Sequence, residues 1–331
     1  MKKLSIIVIG ITMLILWGCS KSTEPVVTDE QAIMEVIASY DGNQNEDYFY
    51  SNLDDESENG FLKLSAESFL AKPIVPIRFG RVGISPVVRD INIVFTSDTT
   101  AKAYYRTILR GKFVILAEDD NPEDTIYVQR IVKKMGHVFE RVAWFVKRGK
   151  DNDRPKDRWK LVAFSMAKGQ SLGVVDTNLV RTTLEIKKVV LEADSVIEID
   201  DPLTFVQVRP NVFNFTSMEQ VKVTVYVKNT TLNPVVFPQG MGTELVRLHQ
   251  ARHRWNRKHG IGNLTWVRQE VDGTNVYEGI WTVGIANGVH HACIDVIDNG
   301  TILDDDADTY PYNSVTWGTP YKVKMGNMQG N

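Results

Sequence analysis

Three residues that can do nucleophilic or acid–base chemistry alternate along one predicted strand. His291, Cys293 and Asp295 are two residues apart, so they share one face of that strand. An imidazole, a thiol and a carboxylate could act as base, nucleophile and orienting group. Side chains on one strand face stand side by side, however, whereas a nucleophile and its base need converging geometry. We therefore predict a cluster on the sheet surface and no catalytic residue.

Aspartates with the spacing of a calcium loop follow this strand. Three of them occupy positions one, three and five of such a loop and two others lie nearby, namely Asp304, Asp306, Asp308, Asp298 and Asp305. Position six is Thr309 where the EF-hand turn needs glycine, and position twelve is Val315 where it needs glutamate. Calcium is thus the one cofactor that the sequence leaves open, and a solvated acidic loop is the alternative.

A basic segment lies earlier in the C-terminal half. It contains Arg247, Arg252, Arg254, Arg257 and Lys258, interspersed with His249, His253 and His259. We predict a hairpin whose charges could meet an anionic partner such as a lipid headgroup, a lipopolysaccharide phosphate or an acidic glycan. The alternative is a solvated hairpin tip. Zinc is disfavoured because the spacing of His249 and His253 suits a helix, whereas the segment is strand-rich.

Composition limits the functions that this chain can have. The 331 residues suffice for two domains of ordinary size, and 43% hydrophobic with 24% charged residues is typical of folded proteins. The net charge is −3, which argues against nucleic acid as a partner. No glycine-rich phosphate loop, nucleophile elbow or paired-cysteine metal motif occurs. The only cysteines are Cys19 and Cys293, so a disulfide framework is not expected.

The N-terminus has the pattern of an export signal. Lys2 and Lys3 precede an apolar run that ends at Leu16-Trp17-Gly18-Cys19. These residues resemble the bacterial lipobox, although Trp17 stands where that pattern has a small residue. The resemblance implies cleavage before Cys19, acylation of its thiol and attachment to a membrane. Ser20 after the cysteine, where aspartate would retain the protein at the inner membrane, favours the outer membrane. An ordinary signal peptide is the alternative.

Helical periodicity at the start of the mature chain gives way to strands. A capping box at Thr28 and Gln31 and a one-sided apolar face predict a helix up to Gly42, and a second helix is predicted over 62–70. Alternating residues predict antiparallel strands near 87–96, 100–116, 126–132, 138–147 and 158–166. Residues 29–40, 101–110 and 158–164 resemble the NTF2-like, cone-shaped α+β family. This resemblance implies helices packed on a curved sheet around a pocket.

Aromatic residues on these strands could line such a pocket. The candidates are Tyr104, Tyr105, Trp144 and Trp159. Large aromatic residues in a sheet more often form core, so a filled interior is the alternative. Hydrolase or isomerase chemistry of the kind known in the family would need an Asp and a His facing each other, and His137 is the only histidine in this half.

The C-terminal half is predicted to contain only strands. Valines at 221, 223, 225 and 227 alternate with polar residues, and about seven short strands with intervening turns predict a β-sandwich. The segment 288–300 resembles the penultimate strand of bacterial immunoglobulin-like domains, with His290 where that family commonly has tyrosine. An imidazole can also donate the corner hydrogen bond to a backbone carbonyl.

These observations predict a fold class of an NTF2-like α+β domain followed by an immunoglobulin-like β-sandwich. The predicted segments are a signal peptide (1–18), a lipidated cysteine and tether (19–27), an α+β domain (28–170), a linker (171–182) and a sandwich (183–326). The predicted function is a lipid-anchored envelope protein that acts as a non-enzymatic binding or scaffold module for an envelope protein or glycan. The alternatives are a tethered small-molecule carrier or enzyme, and an envelope assembly factor.

Overall fold

The structure is a computed structural model of the chain. It describes residues 27–40, 62–63, 74–118, 128–150, 153–173, 182–208, 212–237, 242–251, 257–258 and 264–325. The predicted signal, Cys19 and most of the tether lie outside these ranges. Across the part that is described, no helix has the length and apolar character needed to cross a membrane.

The helix predicted at the start of the mature chain is present as α1, Asp29–Tyr40. The capping box forms in both directions. The backbone N–H of Gln31 donates to Thr28 Oγ1 (3.1 Å), and the N–H of Thr28 donates to Gln31 Oε1 (2.9 Å). The buried face of the helix consists of Ala32, Ile33, Val36 and Ile37. Sequence periodicity therefore identified both the beginning and the buried side of this helix.

Long strands follow in the N-terminal half. The elements are β1 (Leu62–Lys63), β2 (Pro76–Ser97), β3 (Thr100–Glu118), β4 (Val128–Lys147), α2 (Pro155–Arg158), β5 (Trp159–Ser165) and β6 (Ala167–Ser171). Gly83, with φ of +61°, forms a bulge in β2 that lets this strand bend and continue through Pro86. Gly136 lies inside β4, and the guanidinium of Arg110 passes over it. Both strands continue past these glycines. The strands predicted separately at 126–132 and 138–147 therefore form one strand, β4.

Shorter strands make up the C-terminal half. They are β7 (Leu184–Glu192), β8 (Val196–Ile199), β9 (Val206–Val208), β10 (Asn214–Thr216), β11 (Gln220–Asn229), β12 (Glu244–Ala251), β13 (Arg257–Lys258), β14 (Thr265–Gln269), β15 (Asn275–Thr282), β16 (Gly288–Asp298) and β17 (Ser314–Lys324). A short helix, α3 (Asn299–Leu303), lies between β16 and β17.

Two sheets contain these strands. The larger has the order β1-β2-β3-β4-β6-β17-β16-β12-β13, with β5, β9 and β10 attached at its side, and the smaller has the order β14-β15-β11-β7-β8. The large sheet crosses the predicted linker, because β6 pairs with both β4 and β17. Strands from the two halves of the chain therefore belong to one hydrogen-bonded sheet.

The three largest buried apolar clusters of the described residues hold these layers together. The largest lies between the small sheet and the β12-β16-β17 part of the large sheet, and includes the four alternating valines of β11. A second joins α1 to β3, β4 and β5 around Trp159. A third joins β2, β3 and β4 to β12, β16 and α3, through Phe79, Phe113 and Leu303 among others. The third cluster shows that strands of the C-terminal half fill the inner face of the N-terminal sheet.

The predicted α+β, NTF2-like class of the N-terminal half is wrong. The described chain is predominantly β, with antiparallel sheets, and α1 is the one described helix longer than five residues. The second predicted helix, at 62–70, begins as strand β1 paired with β2, and its remainder lies outside the described residues. The physical reason is that β12, β16 and α3 bury the sheet face that we expected helices to cover.

The capping box yields a test of local stability. Replacing Thr28 with Ala removes the side-chain oxygen that receives the Gln31 N–H, so the opening free energy of α1 should fall by about 1 kcal/mol. Amide hydrogen exchange along Asp29–Tyr40 measures this change. Thr28→Ser keeps the hydroxyl and should exchange like the native protein. Equal exchange in Thr28→Ala and the native protein would contradict the role of the cap.

Candidate functional site

A buried network of ionisable residues lies inside the large sheet. Arg81 of β2 forms a bidentate pair with Asp295 of β16, with Nη1–Oδ2 and Nη2–Oδ1 distances of 2.7 and 2.8 Å. Ser314 Oγ donates to Asp295 Oδ1 (3.0 Å), and His249 Nε2 lies 3.3 Å from Oδ2. Because an ionised carboxylate only accepts, His249 donates this bond through Nε2. Both oxygens of Asp295 are thus bonded twice.

This network is closed to solvent. Arg81, His249 and Asp295 are 2%, 1% and 0% exposed. Burial alone would raise the pKa of Asp295, but the charge of Arg81 and the hydrogen bonds from His249 and Arg81 hold it well below its usual range. The carboxylate is therefore ionised and neutralised by the guanidinium. Such a pair orders the structure, but offers no free base to a substrate.

A tyrosine extends the network to His137. Arg81 Nε donates to the hydroxyl oxygen of Tyr312 (2.8 Å), and the same hydroxyl lies 3.2 Å from His137 Nδ1. The oxygen accepts from Arg81, and the tautomer of His137 sets which group donates in the bond between the hydroxyl and the imidazole. Burial raises the pKa of Tyr312 to about 12, and the charge of Asp295 acts in the same direction. Tyr312 is therefore a neutral hydrogen-bond relay between Arg81 and His137.

Lys133 of β4 forms a second buried cationic site. Its ammonium donates to the carbonyl oxygens of Gly300 (3.0 Å) and Tyr310 (2.5 Å), so it ties β4 to the segment between β16 and β17. Burial lowers the pKa of Lys133 to about 8, although nearby carboxylates partly oppose this shift. The carboxylates that act on it belong to Asp304, Asp298, Asp306 and Asp305.

The aspartates considered as calcium ligands have different surroundings. Asp298 is the N-cap of α3 and accepts from Gly300 N (2.8 Å), Asn229 Nδ2 (3.0 Å) and Thr231 Oγ1 (2.9 Å). Asp304 and Asp306 accept N–H groups of their own loop, whereas Asp305 and Asp308 point outward. Within the described ranges, no three His, Cys, Asp or Glu side chains are grouped as metal ligands.

The structure separates the other predicted site residues. His291, Cys293 and Asp295 are buried, because the sheet curls over this face. The predicted cluster on the sheet surface is therefore wrong. Arg247 is also buried, opposite Asp295 on β16, and is not part of an exposed basic patch. Arg257–Lys258 form β13, of which only the backbone is described, while residues 252 and 254 lie outside the described ranges.

The predicted pocket residues face in opposite directions. Tyr105 and Trp159 lie with the α1 cluster, and Trp159 Nε1 donates to Asp29 Oδ1 (2.9 Å). Tyr104 and Trp144 are on the other sheet face, where the ammonium of Lys102 lies 5.8 Å from the Trp144 ring centre. The structure therefore does not bring these four aromatic residues together.

Arg81 and His290 differ in how far the sequence indicated their contacts. Arg81 was not identified from sequence, because it is one of two arginines, with Arg78, in this segment and no local pattern marks it as buried. His290 Nε2 donates to the carbonyl of Ala286 (2.5 Å), as the corner hydrogen bond considered for this position would require.

Comparisons with known proteins found no relative of this chain. No protein-family model matches the sequence, and no curated protein is significantly similar to it.

The Arg81–Asp295 pair leads to a prediction about stability. Arg81→Met leaves a buried carboxylate without its cation, so the free energy of unfolding should fall by about 3–5 kcal/mol. Removing both charges in Arg81→Met/Asp295→Leu should cost less than the sum of the single changes. Denaturant unfolding measures this double-mutant cycle. Arg154→Met is the control, because its ion pair with Asp157 (2.8 Å) is exposed and should contribute no measurable stability. Additive costs in the cycle would contradict direct coupling.

The position of Lys133 leads to a pH prediction. Its pKa is about 8 in the folded chain and about 10.4 when unfolded, so between these values the unfolded state binds more protons. Stability should therefore rise with pH over this window, by up to about 3 kcal/mol relative to Lys133→Met. Unfolding curves of both proteins from pH 7 to 10.5 measure the difference, and shared tyrosine titrations cancel. A constant difference across the window would contradict this assignment.

Proposed function

We propose that the protein is a lipid-anchored, extracytoplasmic envelope protein that acts as a non-enzymatic binding or scaffold module. One observation carries the non-enzymatic part of this proposal. In the buried network described above, Arg81, Asp295 and His249 are at most 2% exposed, and Asp295 bonds to both of the others. A catalytic base or nucleophile must meet its substrate, and these groups are occupied inside the sheet.

The proposed C-terminal module is an immunoglobulin-like sandwich. Its support is the strand order, in which β7, β11, β15 and β14 lie side by side and face β12, β16 and β17. Labelled along the chain from A to G, these seven strands have the A-B-E-D and C-F-G arrangement of the constant-type domain. Such domains commonly use their loops to bind partners, which agrees with a binding role.

Attachment to the membrane is proposed from the signal and the residues at Leu16 to Cys19. The outer membrane is favoured because Ser20 follows the cysteine. The N-terminal end of the fold is well placed for a short tether. Arg158 Nη2 donates to the carbonyls of Val27 (2.7 Å) and Thr28 (3.0 Å), so the chain is held directly after the tether.

Mass spectrometry of the mature N-terminus tests the anchor. The protein produced in a bacterial host should begin at Cys19, carry acyl chains and fractionate with membranes. Cys19→Ala is the control and should be unacylated. A native protein that is cleaved elsewhere, or that carries no lipid, would contradict the lipoprotein assignment.

Purification in a mild detergent tests the binding or scaffold role. We expect an envelope protein or a glycan to copurify with the native protein, and native mass spectrometry identifies which. A stoichiometric small molecule in place of either would contradict the scaffold role.

A further inference from the structure

Two loops meet at one end of the sandwich. The loop 230–237 follows β11, and the loop 304–310 follows α3. The Tyr310 hydroxyl donates to the carbonyl of Asn233 (3.0 Å), which fixes one loop against the other. We call the exposed face of these two loops the loop surface, and its exposed residues include Leu232, Pro234, Val236, Asp305 and Asp308.

The loop surface is held firmly from beneath. Val235 and Phe237 alternate with its exposed residues and pack against the apolar cluster of β2, β3 and α3. Thr231 Oγ1 donates to the buried carboxylate of Asp298 (2.9 Å). Lys133 holds the other loop through the carbonyl of Tyr310. A surface that is already ordered loses little conformational entropy on binding.

The loop surface combines exposed apolar groups with negative charge. Leu232 is 85% exposed, and Val236 is also exposed. The neighbouring loop carries the outward carboxylates of Asp305 and Asp308. Exposed apolar side chains lose unfavourable contact with water when a partner covers them, while the carboxylates select a partner of opposite charge.

The loop surface is also remote from the proposed anchor. Asp29, near the tether, accepts from Lys147 at the end of β4 (3.0 Å), whereas Lys133 near the start of β4 contacts the loop at Tyr310. A strand rises about 3.3 Å per residue, so the two lysines are separated by up to about 46 Å. The start of α1 and the loop surface therefore contact opposite ends of the same strand.

We propose that the loop surface docks a cationic polypeptide segment that carries apolar side chains. This inference deepens the proposed binding function and rests on it. Leu232 and Val236 contact the apolar side chains, and Asp305 and Asp308 pair with the basic ones. A second copy of this chain fits less well, because a symmetric contact would bring the same acidic loop against itself.

Titration with a defined peptide tests this proposal. The probe is a synthetic peptide of alternating lysine and leucine, and the protein is the soluble Cys19→Ala form, so the result does not depend on acylation. Leu232→Ser should weaken binding about tenfold, since it removes a side chain that becomes buried. Asp305→Asn combined with Asp308→Asn should weaken binding about fivefold at low salt and less at high salt. Calorimetry measures both changes.

Matched controls separate this surface from general adhesion. Ile285→Ser removes an apolar side chain that is 68% exposed in the turn between β15 and β16, and Asp194→Asn removes an exposed charge between β7 and β8. Both controls should bind the peptide like the native surface, and all variants should keep the native melting temperature. A peptide that alternates lysine and serine should bind about tenfold more weakly.

Three outcomes would overturn the proposal. One is peptide binding that neither Leu232→Ser nor the double aspartate variant weakens, or that Ile285→Ser weakens equally. Another is heat released with calcium chloride but not with the peptide, which would assign the acidic loop to a cation. The third is self-association that Leu232→Ser abolishes, without peptide binding, which would assign the surface to a second copy. None of these outcomes bears on acylation, so the anchor is judged separately.

Discussion

The ion pair between Arg81 and Asp295 closes the large sheet on itself. Four strands lie between β2 and β16 in the sheet order, and at about 4.8 Å per strand a flat sheet would hold them about 24 Å apart. The guanidinium and carboxylate are nevertheless 2.7 Å apart, so the sheet must curl until its inner faces meet. The curl buries both charges, and neither could be left alone there without a cost of several kcal/mol. Ser314 and His249 complete the bonding of Asp295, which makes this the polar centre of an otherwise apolar interior.

The curling of the large sheet also determines which polar side chains are buried and which reach the surface. His291 and Cys293, which look reactive in the sequence, are buried inside the curled sheet. Lys133 acts as an internal cation that holds the segment after α3, and Asp298 holds the neighbouring loop. Hydrogen bonds of these buried polar side chains therefore order the loops at one end of the sandwich. The exposed residues of that end include Leu232, Asp305 and Asp308, and the proposed binding role rests on them.

Local sequence patterns predicted many helices and strands, but they did not predict what packs against those elements. The capping box at Thr28 predicted α1, and alternating valines predicted the buried face of β11, because both patterns depend on residues close in sequence. The same reasoning left a gap between the strands predicted at 126–132 and 138–147, although β4 pairs with β3 continuously across it. The class of the N-terminal half was wrong for a related reason. Alternation shows that a sheet face is buried, but does not show whether a helix or another part of the chain covers it.

The sequence by itself determined the first helix, most strand positions and the two-faced character of β11. These features follow from spacing of one to four residues, which is the range of helix and strand periodicity. Only the tertiary structure decided that Arg81 meets Asp295, that Cys293 and Arg247 are buried, and that loops 230–237 and 304–310 share one surface. Those contacts join segments far apart along the chain, and they depend on how far the sheet curls. That curvature is set by strand order and packing together, which no local pattern encodes.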